Sequence, residues 1–250
     1  MTGSGGFTVD RSSLNYGTGT NGVITLVALG EGQVIQYWDG AVEGDGGGPG
    51  TWNAGNPNWA DGGPDDPDPS YSPWLGSVGV FGGTTSGTVT VSGKQSFDTL
   101  QFKTSFYQLS GGSLAMDPAS GSSGTNTYGG VTASIDSAIV DGSGVAGLVK
   151  LGNGDLYLTG TNTYGGGTEI KGGKLWVEAD ANLGAAGTGV SLDGGVLAVQ
   201  GTSYTSTGRT ISLGGNNGGI EVKDPLHSFT AAAETRAKAG WSSSATAGWC

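Results

Sequence analysis

The chain has 250 residues, of which 53 are glycine and only 12% are charged, with a formal net charge of −11. Glycine is about three times its usual ~7%, which argues against a helical protein because each interior glycine costs a helix roughly 1 kcal/mol relative to alanine; with 8 prolines and no three-residue period, collagen is excluded as well. β-Branched and aromatic residues run throughout, against simple disorder, and an acidic chain without a Lys/Arg cluster repels phosphate backbones, so no nucleic-acid partner is expected.

In chain order, the N-terminus (MTGSGGFTVD) has neither the basic start nor the apolar centre of a signal peptide. No run approaches the roughly 20 apolar residues of a membrane helix. GTGTNG at Gly17–Gly22 satisfies the G-x-G-x-x-G dinucleotide pattern. A β-branched stretch follows it where that chemistry needs a helix, so it reads as a chance match. GVITLVAL (Gly22–Leu29) and GQVIQYW (Gly32–Trp38) read as strands.

From Gly44 to Pro73 the sequence reads as a long loop rich in Gly, Pro, Asp and Trp. Loops of that length protrude and carry function. Asp61, Asp65, Asp66 and Asp68 offer hard oxygen ligands for Ca²⁺; the alternative is a solvated loop stiffened by Pro64, Pro67 and Pro69. Trp38, Trp52, Trp59 and Trp74 offer faces for stacking on sugar rings; the alternative is that they fill or cap the interior. GTVTVSG (Gly87–Gly93) and DTLQF (Asp98–Phe102) resume the strand pattern.

A period then appears. Leu114, Ile135, Leu156, Leu175, Leu197 and Ile220 follow one another at 21, 21, 19, 22 and 23 residues. Leu109, Val131, Leu151, Ile170, Leu192 and Leu213 precede them at 22, 20, 19, 22 and 21. Gly111–Gly112, Gly172–Gly173 and Gly194–Gly195 separate the two series, and GTNTYGG occurs at both Gly124–Gly130 and Gly160–Gly166. Two strands per ~21 residues joined by glycine corners predict an all-β solenoid. Leu156 and Leu158 point inward, Asp155 and Tyr157 outward, and each coil buries its inward row only by stacking on the next.

Catalytic material is scarce. His227 is the single histidine, and neither G-x-S-x-G nor H-E-x-x-H occurs. GNGDLYL (Gly152–Leu158) resembles a calcium-binding β-roll motif but lacks the tandem copy needed to share an ion. Cys250 is the single cysteine, so no internal disulfide forms. No catalytic residue, cofactor or metal ligand is assigned.

Ala146–Gly184 resembles the autotransporter-associated β-strand repeat of bacterial surface proteins. The pattern G-L-x-K-x-G-x-G-x-L-x-L-x-G-x-N-x-Y-x-G-G-T is carried by Gly147, Leu148, Lys150, Gly152, Gly154, Leu156, Leu158, Gly160, Asn162, Tyr164, Gly166, Gly167 and Thr168, followed by Gly173 and Leu175. Flanking segments from about Tyr37 to Val222 resemble the same family. The resemblance implies a right-handed parallel β-helix in a secreted or surface-displayed passenger, whose parent protein is linked to an outer-membrane β-barrel absent from this chain. It brings no catalytic residues. The expected role is a non-catalytic stalk or adhesin scaffold, with host or surface glycans or proteins as partners. Alternatives are a glycan-binding module on the Trp-rich loop or a polysaccharide-cleaving β-helix enzyme.

The passenger segment is expected to span residues 1–226 and an aberrant tail residues 227–250. The alanine-rich end, AAAETRAKAGWSSSATAGWC, breaks the repeat and is expected to be irregular or helical. A coding-frame shift shortly after Ser228 is the expected cause, which would make Cys250 a product of that shift. The last coil, near Ile220–Val222, then presents an uncapped edge unless the tail covers it.

Overall fold

A computed structural model describes residues 33–40, 46–63, 66, 68–119 and 121–231. GTGTNG, the Gly22–Leu29 strand, Pro64, Asp65, Pro67 and the tail beyond Ala231 lie outside the described residues. The chain winds as a parallel β-solenoid with two long sheets. One is ten-stranded, the other nine-stranded, and a separate two-stranded ladder accompanies them. A 3₁₀ turn at Asp180–Leu183 is the helical element among the described residues.

In the repeat region each coil gives one strand to each sheet. Gly147–Leu151, Thr168–Ile170, Val190–Leu192 and Ile211–Leu213 stack parallel in the first. Thr132–Ile135, Asp155–Leu158, Lys174–Val177, Val196–Val199 and Gly219–Val222 stack parallel in the second. Alternation does the sorting: Leu156 and Leu158 are fully buried, while Asp155 and Tyr157 between them are partly exposed. Every rung pairs its backbone with the next, so stacking satisfies the ladder and buries the leucines in one step.

Leu156, Leu175 and Leu197 superpose as one buried column, and Ile220, 43% exposed, ends it in the same register. Two members of that expected series sit elsewhere. Ile135 lies over Leu158, and Leu114 lies between Gln95 and Ile139. The cause is a bent strand. Tyr107–Met116 turns at Gly111 and Gly112, with φ of +84° and +23°. Its first arm stacks on Ala133–Ile135 and its second on Ala138–Asp141. Gly111–Gly112 is thus a corner inside one strand, whereas Gly172–Gly173 and Gly194–Gly195 carry the chain from the first sheet to the second.

The second series is corrected in the same way. Ile170, Leu192 and Leu213 stack, but the residue beneath Ile170 is Lys150 and not Leu151. Leu109 belongs to the second sheet against Val89 and Ile135. Val131 precedes its strand and packs partly buried on the core.

The Gly44–Pro73 region folds back onto the solenoid where a protruding loop was expected. Trp59–Ala60 pairs antiparallel with Tyr37–Trp38, and Tyr71–Ser72 pairs antiparallel with it in turn. These two short strands cover the edge of Ile35–Trp38, the treatment an exposed parallel edge requires. Between them and the first coil the tryptophans fill the end of the core. At the other end, Thr230–Ala231 pairs parallel with Ser206–Thr207, and Phe229 packs edge-on against Tyr204 at 4.9 Å.

Candidate functional site

The Trp-rich segment forms an indole cluster. Trp38, Trp52 and Trp59 are buried, and Trp74 packs partly buried beside them. Ring centroids lie 5.1 Å apart for Trp52–Trp59 and 4.3 Å for Trp59–Trp74. Phe81 continues the stack inward to Phe102 at 5.2 Å. The Trp38 indole N–H donates to the Gly48 carbonyl and that of Trp74 to Ser96, at 2.8 and 2.6 Å. These rings are core, and the buried faces of Trp38, Trp52 and Trp59 offer no platform to a sugar.

Asp61 and Asp66 of the same segment serve its turns. Asp61 accepts from the Ser70 amide at 2.8 Å and Asp66 from the Asp68 amide at 3.0 Å. Buried Asp39 accepts from the amides of Gly46 and Gly47 and from the Tyr71 hydroxyl. Asp39, Asp66, Tyr37 and Tyr71 line a cleft of about 250 Å³ between the folded-back strands and the first coil. Among the described residues no three His, Cys, Asp or Glu side chains converge as a metal site.

The chemically richest groups lie inside the repeat. Lys150 is fully buried, and its ammonium donates to the carbonyls of Leu151, Gly152, Gly154 and Gly172 at 2.9–3.1 Å. Burial pulls its pKa down to about 8 while the charge of Asp155 opposes the fall. Asn162 accepts from the Ile139 amide at 2.7 Å and donates to the Asn182 carbonyl at 2.6 Å. Tyr164 is buried against Thr168, their hydroxyls 2.8 Å apart. Arg209, 2% exposed, ion-pairs with Asp180 at 2.9 Å and donates to the carbonyls of Asp180, Leu183, Gly184, Ala185 and Thr188.

The duplicated heptapeptide takes two structures. In Gly124–Gly130, Gly124–Thr127 lies in the strand Ser122–Thr127, between Thr99–Phe102 and Gly147–Leu151. In Gly160–Gly166 the same residues form the turn that places Asn162 and Tyr164 in the interior.

Residues 148–177 match the passenger-associated-transport-repeat family. The chain is 37% identical over 228 residues to the adhesin BmaC autotransporter of Brucella suis biovar 1 (strain 1330), an alignment covering 86% of this chain. The chain carries an autotransporter passenger repeat. Both matches mark it as part of a surface-displayed or secreted passenger. It spans about 6% of the length of that curated relative. No solved structure matches.

The outer faces of both sheets carry aromatic rings set beside charged side chains. On the second sheet Tyr157 stacks on Trp176 with centroids 5.6 Å apart, and Lys174 and Lys223 each lie 5.3 Å from the Trp176 ring. Lys174 pairs with Glu221 at 2.7 Å, and the Trp176 N–H donates to Asp155 at 3.1 Å. On the first sheet Lys103 lies within 6 Å of both the Tyr37 and Tyr128 rings. Stacked opposite charges and ring–cation contacts replace the like-charge repulsion that a ladder of identical residues would suffer. His227 lies with Nε2 3.0 Å from the Tyr204 carbonyl, a contact that fastens the last described turn.

The sequence marks Lys150 as a position of the repeat pattern but gives neither it nor Arg209 a buried role. The signal was there for Lys150: it lies two residues from Leu148, so alternation puts both on one face, but the apolar Leu151 drew the assignment. Arg209 sits in a short, irregular stretch where alternation has no length to act on.

Proposed function

We propose that this segment is a non-catalytic structural part of a surface-displayed passenger, serving as a stalk or adhesin scaffold. The observation that carries the reading is the fate of the buried polar side chains. Lys150, Asn162 and Asn182 direct their donors to backbone carbonyls of their own or adjacent coils, and Arg209 divides its donors between such carbonyls, the Asp180 carboxylate and the Thr188 hydroxyl. Chemistry at a reacting bond needs such groups free to face a substrate; here they hold coils together. The relative's name, an adhesin, agrees with this role. That likeness supports a parent protein linked to an outer-membrane β-barrel, with surface or host molecules as partners. The enzyme reading loses two of its few cations to the interior, and the glycan reading loses its Trp platform, keeping Tyr157 as an outward aromatic.

The test is adhesion by cells displaying the longer passenger. A scaffold predicts that in-frame deletion of residues 33–231 lowers adhesion while alanines at outward Tyr157, Gln108 and Glu221 leave it unchanged. Adhesion lost through those alanines alone, with ligands appearing on a glycan array, would establish a binding module instead.

A further inference from the structure

Ten lysines and arginines serve a chain of net charge −11, yet Lys150 is withdrawn completely from water. It occupies the inward column Thr125–Lys150–Ile170–Leu192, where it alone carries a charge. Burying an ammonium costs several kcal/mol unless oxygens replace its water. Here four oxygens do, and all are backbone carbonyls. Three come from the corner Leu151–Gly154 and the fourth, Gly172, from the corner one coil on. Three ammonium protons shared among four carbonyls leave no donor for a side-chain acceptor.

The glycines shape this cage. Gly152 and Gly173 have φ of +72° and +58°, and a Cβ on either would collide with a carbonyl oxygen of the neighbouring coil. The corners can therefore approach closely enough to turn four oxygens onto one point. Thr127 abuts the same corner: Gly154 N donates to its carbonyl at 2.9 Å, and its buried hydroxyl has no hydrogen-bond partner among the described residues.

We infer that the corners Leu151–Gly154 and Gly172 form a four-carbonyl site for a monovalent ammonium-type cation, and that Lys150 is its tethered occupant, clamping two successive coils. The lysine and the glycines around it act as one device: the glycines aim the oxygens and the lysine neutralises them. The inference stands on the fold and is independent of the stalk reading.

The test uses the full chain. Lys150→Met keeps the volume of the stem and removes the charge; its melting temperature is expected to fall by roughly 5–10 °C. Hydrogen exchange is expected to quicken at the amides of Leu151–Gly154 and Gly172–Lys174 first. Lys150→Ala opens a cavity lined by the four carbonyls, and methylammonium is expected to restore stability where tetramethylammonium at matched ionic strength does not. If Lys150→Ala fails to fold in plain buffer, refolding in methylammonium against tetramethylammonium is the readout. Two results overturn the inference: Lys150→Met as stable as the parent or more so, the outcome common when a buried charge is replaced by a well-packed apolar group, or Lys150→Ala indifferent to methylammonium.

Discussion

Asn162 lies one coil before Asn182, and each holds backbone with its side-chain amide. Asn162 donates to the Asn182 carbonyl at 2.6 Å and Asn182 donates to the Gly160 carbonyl at 3.0 Å, while the amides of Glu178 and Ala179 both donate to Asn182 Oδ1. The pair ties the Gly160–Gly166 turn to the 3₁₀ turn above it. Asn162→Ala strands the Ile139 amide and the Asn182 carbonyl in the interior, at about 1–3 kcal/mol for each buried group left unpaired. The expected loss of about 2–6 kcal/mol is read as a lowered urea midpoint with an unchanged m-value; a shift within error would mean that water replaces the side chain.

Asp180 supplies an acid-sensitive contact. Burial raises its pKa, but hydrogen bonds from Arg209, Thr207 and Tyr204 and the charge of Arg209 outweigh burial and hold it below 3.8. A carboxylate depressed in the folded state stabilises fully above its unfolded pKa, and that stability is lost as pH falls through the folded value. Melting temperature is therefore expected to drop below about pH 4 more steeply in the parent than in Asp180→Asn. Parallel curves for the two proteins would remove Asp180 from the account.

Trp59 joins the folded-back strands to the core, packing against Trp38, Trp52, Trp74 and Phe81. Trp59→Ala is expected to cost about 3–5 kcal/mol and to free the Asp61–Ser72 segment, seen as new protease cleavage there. Cleavage spread evenly along the chain would show that the segment is no separate unit.

Two glycines with similar backbone angles separate conformational strain from collision. Gly93 has φ +71° and open space around its missing Cβ, whereas at Gly173, φ +58°, a Cβ meets the Gly154 carbonyl. Gly93→Ala is expected to cost about 1–2 kcal/mol, the left-handed penalty alone. Gly173→Ala is expected to cost at least ~2 kcal/mol more, since the coils must part. Equal losses by calorimetry would refute the close-approach argument.

The solenoid was legible because alternation and stacking write the same residues into the sequence at each turn: Leu156, Leu175 and Leu197 are inward for one reason and recur for another. Register was less legible. A strand bent at Gly111–Gly112 looks in sequence like two strands meeting at a sheet corner, so Leu114 was placed in the wrong column. The buried lysine was hidden by its charge, because an inward ammonium is affordable only when backbone oxygens surround it, and those oxygens leave no trace in side-chain type. The Trp-rich segment was ambiguous for a related reason: tryptophan favours a core and a ligand platform alike. Only the antiparallel pairing of Trp59–Ala60 with Tyr37–Trp38 decides between them.

The two copies of GTNTYGG begin 36 residues apart, and that interval is not a whole number of coils. Stretches that encode the same peptide can recombine where their codons also match. A deletion joining Gly124 to Gly160 would leave the protein sequence locally unaltered, yet it would hand the first sheet a turn-forming context where it needs a rung. The winding after the junction would be out of phase with the winding before it. This solenoid keeps its register only when whole turns are added or removed, and so the most conspicuous duplication in its sequence marks a place where exchange would break the winding.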